Sequence, residues 1–341
     1  MKLSRVLLGF ASAAAITASA SAFPIYPEVE GNDTKAAATV PPACLNPGDG
    51  VSGNSTAGTG VGVDYFRLNI CADAPAIYEW RLTLASSTAG HSSSLRSLNQ
   101  TAVAQAPWLP GMAIGTPGAT DGSAQAHVVA GTDRVQKWYG FGKGEFQYYR
   151  VTGATATTAD YTATLSRTTI TPVDLGSYAP GSIEIRTLGQ GHTTDTDLWI
   201  YDANLDPIVG YGNDDEATAA ISGCVGATGT TLQSCLIRNY GPGTYYMALS
   251  NFALTNNQPS PSDDDFRTGA LLESPGAILN SSSTLNVNVT FRVTDANGSA
   301  QFPTTRAEAH QVVWAKFTVT PEPSTLTLLA LGALGLIRRR K

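Results

Sequence analysis

Charge is scarce in this chain: Asp, Glu, Lys and Arg make up only 14% of its 341 residues, alongside 34 glycines and 19 prolines. That composition excludes a helical bundle, whose solvent faces need long charged side chains and whose interior tolerates neither Gly nor Pro. No long stretch repeats its apolar residues with a 3.6-residue period. Hydrophobic residues reach 42% and mean hydropathy is −0.05, too apolar for a disordered chain and too polar for a membrane-spanning bundle. Histidine is sparse as well: the 4 are His91, His127, His192 and His310, none in HExxH or at another zinc-ligand spacing. No GxSxG elbow, Walker loop or strand-borne GxGxxG occurs. What remains is a soluble, β-rich globular protein without a reaction motif, expected to be non-catalytic.

Both ends read as processing segments. Lys2 and Arg5 precede the apolar run Val6 to Ile16, and Ala20-Ser21-Ala22 offers a cleavage site before Phe23, so residues 1–22 read as a secretory signal peptide. At the other end Pro321-Glu322-Pro323-Ser324 is followed by thirteen mostly apolar residues, Thr325 to Ile337, and then by Arg338, Arg339, Arg340 and Lys341. A helix of that length rises about 20 Å, short of a ~30 Å hydrocarbon core. The three-part segment 321–341 closely resembles the PEP-CTERM sorting tail of Gram-negative bacterial surface proteins, with Pro321, Glu322 and Pro323 as the motif. The resemblance implies secretory export, a transient stay in the inner membrane through a C-terminal sorting helix, and processing by an exosortase near the motif. It also implies a final place at the cell surface or in the extracellular matrix, often beside exopolysaccharide.

Deleting Lys2, Arg5, the four terminal bases and Glu322 leaves 15 basic and 26 acidic residues, a net charge of −11. Such a body repels nucleic acid, and cation binding suits it better. In an exported chain the four cysteines favour disulfides, and their spacing favours Cys44 with Cys71 and Cys224 with Cys235; four buried free thiols are the alternative.

Alternation with a period of two is the recurring pattern. Leu285 to Val293 reads as a strand with five apolar residues on one face, and Val313, Ala315, Phe317 and Val319 repeat the pattern, as do Phe66, Leu68 and Ile70, and Tyr78, Trp80, Leu82 and Leu84. Gly90-His91-Ser92 aligns with Gly191-His192-Thr193, and Gly144 to Tyr149 with Gly243 to Tyr246, each about one hundred residues apart. The expected fold is all-β: two consecutive antiparallel, jelly-roll-like β-sandwich domains, 23–168 and 169–320, with the boundary near Thr169 to Gly176. A single large sandwich is the alternative. His91 and His192 read as turn residues in equivalent loops, or as a paired functional feature. Trp80, Trp199 and Trp314 read as core residues, and Trp108 as an exposed ring able to stack on a sugar.

Glu28, Glu30, Asn32 and Asp33 place four oxygen-bearing side chains within six residues, with Asp64 on the next strand. Asp195, Asp197, Asn213, Asp214 and Asp215 form a looser second group. Oxygen-rich sets of this kind suit calcium, although Asn and Asp also cap turns. Glu28 to Thr34 with Asp64-Tyr65-Phe66, then Asp197 to Asn204, Asn213-Asp214-Asp215 and Tyr240 to Tyr246, resemble bacterial pre-peptidase C-terminal domains. Those are small β-sandwiches of secreted peptidases and surface proteins, and the resemblance implies calcium at the first group. Asp263, Asp264 and Asp265 read as a solvated loop. The expected function is that of an exported, non-catalytic surface or matrix protein processed by exosortase and associated with exopolysaccharide. A secreted hydrolase with an acidic-loop site and an ice-binding or adhesive protein are the alternatives.

Overall fold

The computed structural model describes residues 23–54, 62–86, 91–100, 117–122, 134–153, 159–214, 224, 232–251, 254–258, 270–279, 287–306 and 311–321. The signal peptide, the tail from Glu322 with Pro323, and Trp108, His127, Asp215, Asp263 to Asp265 and His310 lie outside the described residues. Among the described residues no helix is long and apolar enough to cross a membrane.

Among the described residues nine strands precede residue 171: β1 (Ile25–Pro27), β2 (Gly50–Asn54), β3 (Val63–Asn69), β4 (Ile77–Ser86), β5 (His91–Gln100), β6 (Pro117–Gly122), β7 (Arg134–Gly140), β8 (Phe146–Gly153) and β9 (Asp160–Ile170). Twelve follow: β10 (Val173–Tyr178), β11 (Gly181–Arg186), β12 (Thr196–Tyr201), β13 (Pro207–Asn213), β14 (Cys235–Tyr240), β15 (Gly243–Asn251), β16 (Leu254–Thr255), β17 (Ala270–Leu271), β18 (Ile278–Leu279), β19 (Thr290–Asp295), β20 (Gly298–Pro303) and β21 (Val313–Val319). The protein is all-β, as the alternation predicts.

In the first half the sheet β1-β2-β9-β4-β7 faces the sheet β17-β5-β8-β3. Both contribute alternate residues to one core: Trp80, Leu82, Ala163 and Leu165 from one side, Phe66, Leu68, Leu95 and Tyr149 from the other. In the second half β10-β21-β15-β12-β13 faces β14-β11-β19-β20, and Leu198, Ile200, Met247 and Phe317 meet Ile183, Ile185, Phe291 and Val293. Each half is thus a pair of sheets closed over an apolar interior.

Three expectations need correction. The sheets are mixed, because β1 pairs parallel with β2 and β10 parallel with β21. In both pairs the partners are joined by long stretches of chain, so no tight hairpin imposes the antiparallel direction. The strand expected from Leu285 begins at Thr290, and at Val289 the ladder gives way to Thr304, whose side chain accepts from Val289 N at 3.0 Å and whose N–H donates to Val289 O at 2.9 Å. His91 and His192 are not equivalent: His91 opens β5 and is fully buried, whereas His192 lies half-buried in a loop.

The two halves share a third apolar cluster. Every residue of β12 is buried, since Leu198 and Ile200 face their own core while Trp199 and Tyr201 turn the other way, toward Ile77, Tyr139 and Phe141. Trp314 centres this junction, its ring 5.6 Å from Tyr139, 5.7 Å from Phe141 and 5.1 Å from Tyr201. Trp199 reaches its place across Gly212, where a Cβ would stand 2.2 Å from the indole. The Tyr139 hydroxyl donates to Glu79 at 3.0 Å and accepts from Val312 N at 3.1 Å, and Lys137 pairs with Glu79 at 2.8 Å on the same buried strand pair.

The segment 270–279 also crosses between the halves. β17 adds to β5, Ala277 bridges to Tyr139, Leu272 and Ile278 enter the first core, and Glu273 pairs with Lys35. The two disulfides each stay within one half, Cys44 with Cys71 at a Cα separation of 4.9 Å and Cys224 with Cys235 at 6.2 Å.

Candidate functional site

The apolar alternation of β3, extended back by two residues, sets Asp64 on the same inward face as Phe66 and Leu68. A carboxylate therefore stands at one end of the first sandwich, fully buried. From the opposite sheet Tyr161, in line with Ala163 and Leu165, brings its hydroxyl 2.8 Å from Asp64 Oδ2 and 3.2 Å from Glu28 Oε2. One hydroxyl proton serves one acceptor at a time. The second carboxylate is left facing like charge.

Glu28 is fixed from behind by Asn54 N, which donates to Oε1 at 2.7 Å. It lies so close over Gly53 that a Cβ there would stand 2.4 Å from the carboxyl carbon. Burial, and then the charge of Glu28, push the Asp64 carboxyl up to about 7. Burial raises Glu28 as well, opposed by the Asn54 hydrogen bond and reinforced by the charge of Glu30. The pair is thus poised to share a proton or to take a cation.

The surroundings could hold a cation. Asn32 is fully buried beside Asp64, its carbonyl oxygen accepting from Tyr65 N at 2.9 Å. Its side-chain Oδ1 is buried and receives no hydrogen bond among the described residues. Acceptors left bare in this way cost of order 1–3 kcal/mol each, and a hard cation removes that cost. Carboxylates from Glu28 and Asp64, with Asn32 buried next to Asp64, could offer a cation oxygen atoms alone, a set that suits calcium rather than zinc. Glu30 and Asp33 are both exposed, and Glu30 acts on the pair through its charge.

In the second acidic group two side chains hold the backbone. Asp197, fully buried, accepts from Leu254 N at 2.5 Å, and Asn213 Oδ1 accepts from Cys235 N at 2.6 Å. Asp214 is buried at the end of β13 and Asp195 half-buried ahead of β12. Among the described residues, three ligand atoms of the His, Cys, Asp and Glu type come within 4.8 Å of one another at Glu184, Cys224 and Cys235. There the sulfurs are joined to each other and are not thiolate ligands.

Tyr161, Asn54 and His91 were not legible as site residues. Tyr161 falls on the inward face of a strand whose alternation, Tyr161-Ala163-Leu165, was the available signal. His91 packs its ring 5.2 Å from that of Tyr161 and lies 2.6 Å through Nδ1 from Ser86 Oγ, with burial and then Arg134 lowering its pKa. Its Nε2 has no hydrogen-bond partner among the described residues.

The last described strand leads into the tail: Thr320 N donates to Tyr178 O at 3.1 Å, and Pro321 follows exposed. Residues 319–341 match the PEP-CTERM protein-sorting motif. The chain is thus an exported protein with a C-terminal sorting signal of the kind an exosortase processes. None of the curated proteins matches the chain.

Proposed function

We propose that this is a non-catalytic component of the bacterial cell surface or extracellular matrix, held near exopolysaccharide and locked by calcium at Glu28, Asp64 and Asn32. The observation that carries the reading is the joint between fold and signal. β21 runs between β10 and β15 and ends at Val319, and the matched motif begins at that same residue. Processing near Pro321 therefore removes the tail without touching a strand.

Intact-mass measurement of the exported protein tests this. The mature species is expected to lack Arg338 to Lys341, and Glu322→Ala is expected to hold the precursor in the inner membrane. Surface protein that keeps the full C-terminus overturns exosortase processing and leaves a simple anchor.

A hydrolase is the second reading, and the raised Asp64 carboxyl beside Glu28 favours it, because paired carboxyls with separated proton affinities serve glycosidases. Against it stands access: Asp64 is fully buried under Tyr161, where no sugar ring can reach it. Hydrolysis of any polysaccharide by the exported protein, lost in Asp64→Asn, would decide for the enzyme.

A further inference from the structure

The outer face of the β3-β8-β5 sheet gathers cations. Arg67 stands opposite Tyr148, and Tyr148 opposite Arg96; one row along, Arg150 stands between Tyr65 and Ser94. Directly paired residues share a face. Their sequence neighbours Phe66, Leu68, Leu95, Tyr149 and Val151 fill the core, so this row points outward, with Arg67, Arg96, Tyr148 and Arg150 half-buried. Lys35 adds a fourth cation, its Nζ 4.7 Å from the centre of the Tyr148 ring and paired with Glu273. Four of the 15 bases of the processed chain thus share one face of a body whose net charge is −11.

The guanidinium of Arg67 is held 4.3 Å from the centre of the Phe146 ring. Neither Arg67 nor Arg150 has a carboxylate within ion-pair distance among the described residues. A guanidinium parked on a ring is ordered before any ligand arrives, and its planar fork matches a carboxylate with two parallel hydrogen bonds. Arg67 and Arg96 flank Tyr148 at two strand spacings, ~9.5 Å. Charges at that interval suit carboxylates separated by whole sugar rings better than duplex DNA, which carries one charge per ~1.7 Å.

We propose that this face binds a carboxylate-bearing polysaccharide, with Arg67 and Arg150 gripping its uronate groups beside Tyr148. The inference rests on the reading of an exported protein that meets extracellular polysaccharide, and it names the surface and the class of polymer.

Calorimetric titration of the exported protein with polygalacturonate, and with the same polymer fully methyl-esterified, tests it. The acidic polymer is expected to bind at least tenfold tighter than its ester. The double variant Arg67→Ala, Arg150→Ala is expected to lose at least tenfold, and Arg67→Lys several-fold although its charge is kept. Lys316→Ala, on the second sandwich, is expected to bind as the unaltered protein does. Should the double variant fail to fold, Arg67→Lys and the salt dependence of the unaltered protein carry the decision. Equal binding of acid and ester, no binding at millimolar sugar, indifference to the Arg substitutions, or tighter binding to duplex DNA or to phosphatidylglycerol vesicles overturns the proposal. Intact mass on the same preparation separates the two readings: processed protein that fails to bind sinks only the face, and unprocessed surface protein sinks the exosortase reading by itself.

Discussion

At the proposed site calcium and protons would compete for the same atoms at Asp64. With the carboxyl at about 7 in the cation-free protein, about nine-tenths of the site is ready for calcium at pH 8 and about one-hundredth at pH 5. Apparent calcium affinity is therefore expected to fall roughly 90-fold between those two values, and more steeply if Glu28, also raised, takes a second proton.

The stability of the cation-free protein moves in the opposite direction. Asp64 holds its proton in the folded state over a window, from about 4 to about 7, in which the unfolded chain has released it, so stability falls as pH rises through that window. Calcium at one hundred times its dissociation constant restores ~2.7 kcal/mol. For a cooperative unit of 150–250 residues that is roughly 5–10 °C in melting temperature. Melting scans with millimolar calcium or with chelator, at pH 5 and pH 8, are the assay. A large calcium shift at pH 8 and almost none at pH 5 is expected. Asp64→Asn should abolish the calcium shift while making the chelated protein at pH 8 no less stable, because the like-charge contact with Glu28 is gone. An equal shift at both pH values, or none at either, would refute the argument and reduce Glu28 and Asn32 to a satisfied turn.

The Cys44–Cys71 bridge closes a loop of sequence separation 27, so Cys44→Ser with Cys71→Ser is expected to cost about 3.5 kcal/mol in chemical denaturation; a loss under 1 kcal/mol would mean that the loop is already ordered without it. Trp314→Ala empties the junction around Tyr139, Phe141 and Tyr201, and is expected to cost about 3–5 kcal/mol. Calorimetry should then show the single transition broadening or splitting as the halves lose their shared cluster.

Much of this was written in the alternation. Phe66, Leu68 and Ile70 identified the inward face of β3, and the same count places Asp64 inside; Leu285 to Val293 gave the right face of β19 though not its start. Partners brought by the opposite sheet were beyond reach, because Tyr161 lies 97 residues from Asp64 and nothing local links them. The junction left a mark that local reading passes over. In β12 the run Leu198-Trp199-Ile200-Tyr201 is apolar on both faces, which is what a strand buried from two sides requires. His91 misled because Gly followed by His and serines has turn composition, while its place two residues from Ser93 and four from Leu95 sets it inward. β17, two residues long, carries too little pattern to announce that it leaves its own half for β5.

The ends of the body are fastened by different means, and the difference bears on when the fold closes. At the C-terminal end β21 is gripped by backbone ladders on both sides, to β15 and to β10, so its register needs nothing beyond the chain itself. At the N-terminal end β1 holds three residues in a parallel ladder to β2, a short and weaker form of pairing. Just beyond it lies Glu28, tied to Asn54 on β2, to Tyr161 on β9 and, through Tyr161, to Asp64 on β3. The first segment to emerge from a secretory channel is thus secured only after residue 161 has followed it, and its fastening repels itself unless a proton or a cation is present. On the calcium reading proposed above, the millimolar calcium met by extracellular modules would supply that cation.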